Sequence, residues 1–196
     1  MNTVGQYFIF LLLCFAMVSC ESEYSETVKR ELQSGKVYED LILGLKIGQT
    51  RKEFYDHCWE LNKQKVISQG SGNKFAKQII LLDSTAQNQD KVEMLFYGIF
   101  DEEKIMHGMH MKFSYLKWAP WNKNYQSDVL VKKLLEKYIK EYPGNPFIEI
   151  TVKGDIKAYA KVDGNREILV YPNTTKDVTV KIGDLRYKLK GNEVLE

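Results

Sequence analysis

The chain has 196 residues, with 28 Lys and Arg against 26 Asp and Glu, a formal net charge of +2 and 44% hydrophobic residues. So even a charge balance supplies no basic stripe for nucleic acid, and no nucleic-acid partner is expected. The composition is that of a globular chain able to bury a core, not of a disordered or collagen-like one.

The first feature in chain order is the apolar run YFIFLLLCFAMV, from Tyr7 to Val18. It is too short for a transmembrane helix, which needs about 20 apolar residues, and has the length of a signal-peptide core. Met17-Val18-Ser19-Cys20 resembles the lipobox of bacterial lipoproteins. The resemblance implies that residues 1–19 are a signal peptide and that Cys20 is lipidated and becomes the first mature residue. The expected protein is therefore exported and held to a membrane of the cell envelope by lipid on Cys20. Glu21 stands where Asp would resemble an inner-membrane retention signal, which points to the outer membrane. With Cys20 lipidated, Cys58 is left unpaired, and stability is expected to come without disulfides.

Residues 20–37, rich in Ser, Glu and Lys and closed by Gly35, read as a tether or a short surface helix with few contacts. Residues 38–196 read as one α+β domain in two halves, 38–121 and 122–196. In the first half Thr50 and Glu53 form a capping box, and Phe54, Cys58 and Leu61 share a helical face with Tyr55 and Trp59 beside them. Strands are expected over Ala76–Leu82, Val92–Phe100 and Ile105–Leu116, with polar turns at 83–90 and 101–104. The second half opens with a helix from Ser127 to Tyr142, striped by Val131, Leu134, Leu135, Tyr138 and Tyr142 and ended by Pro143. Alternation then marks strands around Ile148–Val152, Ile156–Val162, REILVY, VTVKI and LRYKL, each with one face buried and the other wet. Two helix-plus-antiparallel-sheet modules in tandem are expected, with both helices on one face of the sheet.

That order is similar to the helix-plus-sheet modules of β-lactamase-inhibitor-protein-like folds. The entry IGQTRKEF, Gly48-x-Thr50-x-x-Glu53, resembles that of BamE-like envelope lipoproteins. The resemblance implies binding or scaffolding through an exposed sheet face, with a protein partner in the envelope.

Three groupings could carry chemistry. Met106, His107, Met109, His110 and Met111 offer soft-metal ligands, but strand alternation places His107, Met109 and Met111 on one face and Met106 and His110 on the other. No metal or other cofactor is expected. Cys58 beside His57 fails as a nucleophile pair, because adjacent helical residues diverge; Cys58 reads as a small buried hydrophobe. No Gly-x-Ser-x-Gly elbow is present, and GSGNK lacks the spacing of a phosphate loop. An enzyme is not expected. Between the third strand and the second helix, Trp118, Trp121, Asn122, Asn124 and Tyr125 combine aromatic faces with amides, the kit for stacking on a sugar. The expected function is a non-enzymatic, lipid-anchored binding or scaffolding module, with glycan capture through that loop as the alternative.

Overall fold

The computed structural model describes residues 22–70, 72, 74–82, 91–152 and 154–190. The signal segment, Cys20 and the polar turn at 83–90 lie outside the described residues. Among the described residues, no helix is long and apolar enough to cross a membrane.

The fold is α+β, with eight antiparallel strands in one sheet and helices around it. Helix α1 covers Glu23–Gln33 and α2 covers Arg51–Lys63; strands β1 (Ser68–Gln69), β2 (Ala76–Leu81), β3 (Lys91–Phe100) and β4 (Met106–Tyr115) follow. Helix α3 (Ser127–Glu141) leads into β5 (Ile148–Val152), β6 (Ile156–Asp163), β7 (Arg166–Pro172) and β8 (Asp177–Asp184), and α4 (Leu185–Lys190) comes last. Strand order is β1-β2-β3-β4-β8-β7-β6-β5, so the two meanders meet where β4 pairs with β8. There Met109 faces Ile182, Met111 faces Val180 and Phe113 faces Val178, all buried. Gly108 opposes Gly183, and a Cβ on Gly108 would stand 2.8 Å from the Ile182 carbonyl oxygen. Only glycine lets the strands close at that point.

Both α2 and α3 sit on this apolar face. Thr50 caps α2 as its sequence requires: its Oγ1 accepts from the Glu53 N–H at 3.2 Å, and the Glu53 carboxylate accepts from the Thr50 N–H at 2.7 Å. Phe54 is the residue that α2 buries fully. Helix α3 buries Leu130, Val131, Leu134 and Tyr138 against β4, β7 and β8, and the Tyr138 hydroxyl reaches the Met111 sulfur at 3.4 Å.

The structure corrects the expectation of one wet face. Helix α1 packs on the opposite face, over β5 and β6, where Tyr24 lies against Ala158, Ala160 and Leu169. Small alanines leave a trough that a helix can enter, so the polar segment expected to make few contacts instead covers apolar sheet. It is fastened by polar bonds: the Tyr24 hydroxyl donates to the Glu167 carboxylate, and the Glu31 carboxylate accepts from the Gly164 N–H at 3.0 Å. Burial, with the Glu167 carboxylate adding to it, pushes the Tyr24 phenol far above its usual range.

Charged side chains are also buried on the α3 side, where Lys161 shares a face with Ile168 and Asp163 with Arg166. Lys161 and Asp163 are almost wholly inside, 2.8 Å apart, and Asp163 also accepts from the Asn145 N–H at 2.8 Å. The Arg166 guanidinium lies between the rings of Tyr142 and Tyr38, 4.4 and 4.8 Å from their centres.

Two further expectations are corrected. LRYKL is a helix, not a strand: Asp184 accepts from the Arg186 N–H at 2.8 Å, and the Leu185 N–H donates to the Asn165 carbonyl at 2.7 Å, which starts a helical turn. A bulge also breaks the period of β4, because Ile99 opposes Gly108 while Phe100 opposes Met106. Met106 thereby joins Met109 and Met111 in the core, while His107 stacks on Tyr187 with ring centres 3.8 Å apart.

Because Lys161 has no route to water, Asp163→Asn should leave an uncompensated buried cation. The variant is expected to lose about 3 to 5 kcal/mol in urea denaturation. A loss below about 1 kcal/mol would mean that the pair is not holding the hairpin.

Candidate functional site

The end of the sheet that carries β1 is less completely covered than the rest. There α2 stands over β3 and leaves an open groove of about 700 Å³. Its inner wall is Phe54, Cys58, Phe96 and Phe100; its outer wall is Phe75 and Tyr97; Tyr55 and Trp59 border it on α2. Phe54 meets Phe100 edge-on at 5.5 Å, and Phe75 meets Tyr97 edge-on at 5.5 Å, so the two walls are fixed by ring-to-ring packing. Tyr55 and Trp59 are 61% and 63% exposed, although both are large aromatics. Exposed aromatic surface beside a concavity is the usual mark of a binding site.

The polar lining has one sign of charge. Arg51 and Lys74 reach the groove together with Asn62, Ser68 and Gln69, and among the described residues neither Asp nor Glu lines it. The acidic residues of α2 point elsewhere, Asp56 to Lys52 at 2.6 Å and Glu60 to Lys63 at 2.7 Å. The Arg51 guanidinium lies 5.1 Å from the centre of the Phe100 ring, which holds a cation against an aromatic wall. A second, smaller recess of about 370 Å³ between α1 and α4 is lined by Leu32, Lys36, Asn165 and Arg186.

Cys58 is half-buried in the groove wall, not sealed in the core, and burial pushes its thiol up to about 11. At neutral pH it is a thiol, not a thiolate, and a poor nucleophile. His57 does not reach it; its Nε2 bonds to the Leu43 carbonyl at 2.7 Å. Among the described residues no group of three His, Cys, Asp or Glu side chains is placed to hold a metal ion.

The aromatic loop divides in two. Trp118 is fastened, its Nε1 donating to the Thr175 carbonyl at 3.2 Å with the Lys176 ammonium over its ring, and it packs against the core. Tyr125 also faces inward, meeting Tyr115 edge-on at 5.2 Å. Trp121 is 84% exposed. Asn122 turns its side chain to its own loop, where Oδ1 accepts from the Asn124 N–H at 3.2 Å; Asn124 is exposed. The five residues read from the sequence as one platform are thus one open ring, one exposed amide, one amide turned to its own loop and two half-buried rings packed against the core.

The groove residues were missed because they come from separate segments. Tyr55 and Trp59, spaced i, i+4 one step off the Phe54–Cys58 stripe, were its available signal: that spacing makes an aromatic strip which the core does not need.

No family model matches the chain, and no curated protein matches it. Among solved structures it is similar to a DUF4309 family protein, YjgB from Bacillus subtilis, at 14% identity over 81% of this chain and 94% of that one. The TM-score is 0.33.

Proposed function

We propose that this is a non-enzymatic binding module, tethered to the cell envelope by lipid on Cys20, and that its ligand seats in the groove under α2. The groove carries the reading: a concave aromatic surface with two cations, and among the described residues no carboxylate, suits recognition better than proton transfer or hydrolysis. We read the two halves as tandem copies of one unit, each a helix followed by an antiparallel meander, so that the first copy supplies the groove and the second supports it. The tether reading rests on the apolar run ending at Met17-Val18-Ser19-Cys20 and the acidic residues after it. The partner is an envelope component, and the outer membrane is the proposed site because Glu21 follows Cys20.

A second reading, glycan capture, is favoured by the exposure of Trp121 beside Asn124. It rests on one open ring and stands behind the groove.

Three outcomes are expected. Anilinonaphthalene sulfonate, an aromatic anion, should brighten on binding the full chain, and Trp59→Ala with Tyr55→Ala should weaken it about tenfold while leaving the melting temperature in place, since both side chains are largely exposed. Undiminished dye binding by the double variant would remove the groove reading. Cys20→Ala should shift the protein from the carbonate-washed membrane pellet to the soluble fraction, because the acyl chains supply the anchoring energy. Retention of the variant in the pellet at the wild-type level would refute the tether. On a glycan array, Trp121→Ala should erase any binding at a stability cost under about 0.5 kcal/mol; an array on which the wild-type chain binds nothing ends the second reading.

A further inference from the structure

Strand β3 is longer than its neighbour. β2 pairs with it from Lys91 to Phe96, where Leu81 faces Lys91 and Ala76 faces Phe96, and stops there. β3 runs on through Tyr97, Gly98, Ile99 and Phe100, which β4 pairs along the other side. Among the described residues no strand pairs with the outer edge of these four. Phe75, just before β2, does not fill the place, since its carbonyl accepts from the Gly70 N–H at 2.8 Å and its ring turns to Tyr97. Tyr97, Gly98 and Phe100 line the groove, so the unpaired edge is part of the groove itself.

An unpaired strand edge between apolar walls restricts what can lie there. Backbone donors and acceptors that leave water must be paired, and an acyl chain or a plain aromatic ring would bury them unpaired. An extended peptide pairs them as an added strand. Its alternate side chains would point in opposite directions, one set under α2 towards Phe54, Cys58 and Phe100, the other along Tyr97 on the outer side. At Gly98 the Phe100 ring folds over the strand so closely that a Cβ would lie 2.8 Å from the ring, which fixes that ring as part of the groove wall. Arg51 and Lys74, with no carboxylate among the described residues of the lining, complement a negative charge on the incoming strand.

We propose that the groove takes an extended, anionic peptide segment of a partner protein as an added strand along Tyr97–Phe100. The proposal rests on the groove reading and deepens it: the partner contributes a strand, with apolar residues at alternate positions and an Asp, Glu or C-terminal carboxylate facing Arg51 or Lys74.

The test uses a displayed library of random heptapeptides panned on the full chain and counter-selected on the Trp59→Ala, Tyr55→Ala variant. Recovered sequences should alternate apolar residues and carry an acid. The consensus peptide is then made plain, N-methylated at odd residues, N-methylated at even residues, and with its acid converted to the amide. Only alternate N–H groups of a strand face its neighbour, so one N-methylated form should lose about tenfold or more in affinity while the other binds like the plain peptide. Acid-to-amide conversion and Arg51→Gln should each weaken binding, and their combined loss should be less than the sum. Equal binding by both N-methylated forms, displacement of the plain peptide by oleate with no peptide preference, or self-association through this edge in sedimentation would each overturn strand addition. If no peptide is enriched while sulfonate dye still binds in a Trp59-dependent way, the strand proposal falls and the groove reading stands. If the dye binding is also independent of Trp59, both fall.

Discussion

The antiparallel register between β4 and β8 is the constraint on which the rest of the molecule depends. It joins strands that are distant in sequence, and it sets Met109, Met111 and Phe113 directly against Ile182, Val180 and Val178. Through that contact two meanders share one core, with α2 and α3 laid over the same apolar surface. A slip of one residue would turn this whole set to the opposite face. The close approach at Gly108 and the bulge opposite Ile99 and Phe100 act together here: the first admits β8, and the second brings Met106 round to the core side.

Covering the second face with α1 changes the chemistry of the second half. Ala158 and Ala160 are small enough to receive a helix, and once Tyr24 and Thr27 are seated the neighbouring polar positions lose access to water. Glu167 is held in the interior on that face by Tyr24 and Lys188, while Lys161, Asp163 and Arg166 lie on the α3 side with Ile168 and Tyr142, each with a partner of opposite charge or an aromatic face. Such arrangements are costly to assemble and costlier to break on one side, so they hold the β6–β7 hairpin in one geometry. The segment before the domain is thereby part of the domain.

At the other end of the sheet the elements do not match in length, and the groove is the result. β2 ends opposite Phe96, while β3 continues for another four residues and α2 passes over them. The gap is walled by rings that support each other edge-on, Phe54 with Phe100 and Phe75 with Tyr97, so it keeps its shape without a ligand. The half-buried Cys58 in this wall is chemically quiet because its thiol is kept protonated, and among the described residues no carboxylate lines the groove beside Arg51 and Lys74.

Local signals fixed a good part of this in advance. The Thr50–Glu53 box, the stripe through Val131, Leu134 and Tyr138 and the alternation through β6 to β8 each depend on neighbours within a few residues, so the helices α2 and α3 and most strands were legible. LRYKL misled, because its alternation also fits one helical turn, and Asp184 with Asn165 decides between the two. The bulge in β4 was invisible for a similar reason: one extra residue on one strand shows only against its partner. The exposure of Tyr55 and Trp59 and the open edge of Tyr97–Phe100 were set by where β2 stops relative to β3, a relation between segments. The sequence by itself determined element type and apolar stripes, since those follow from backbone period and side-chain size. Only the tertiary structure decided which polar residues are buried and where the groove opens, since both depend on which surfaces meet after the chain has crossed itself.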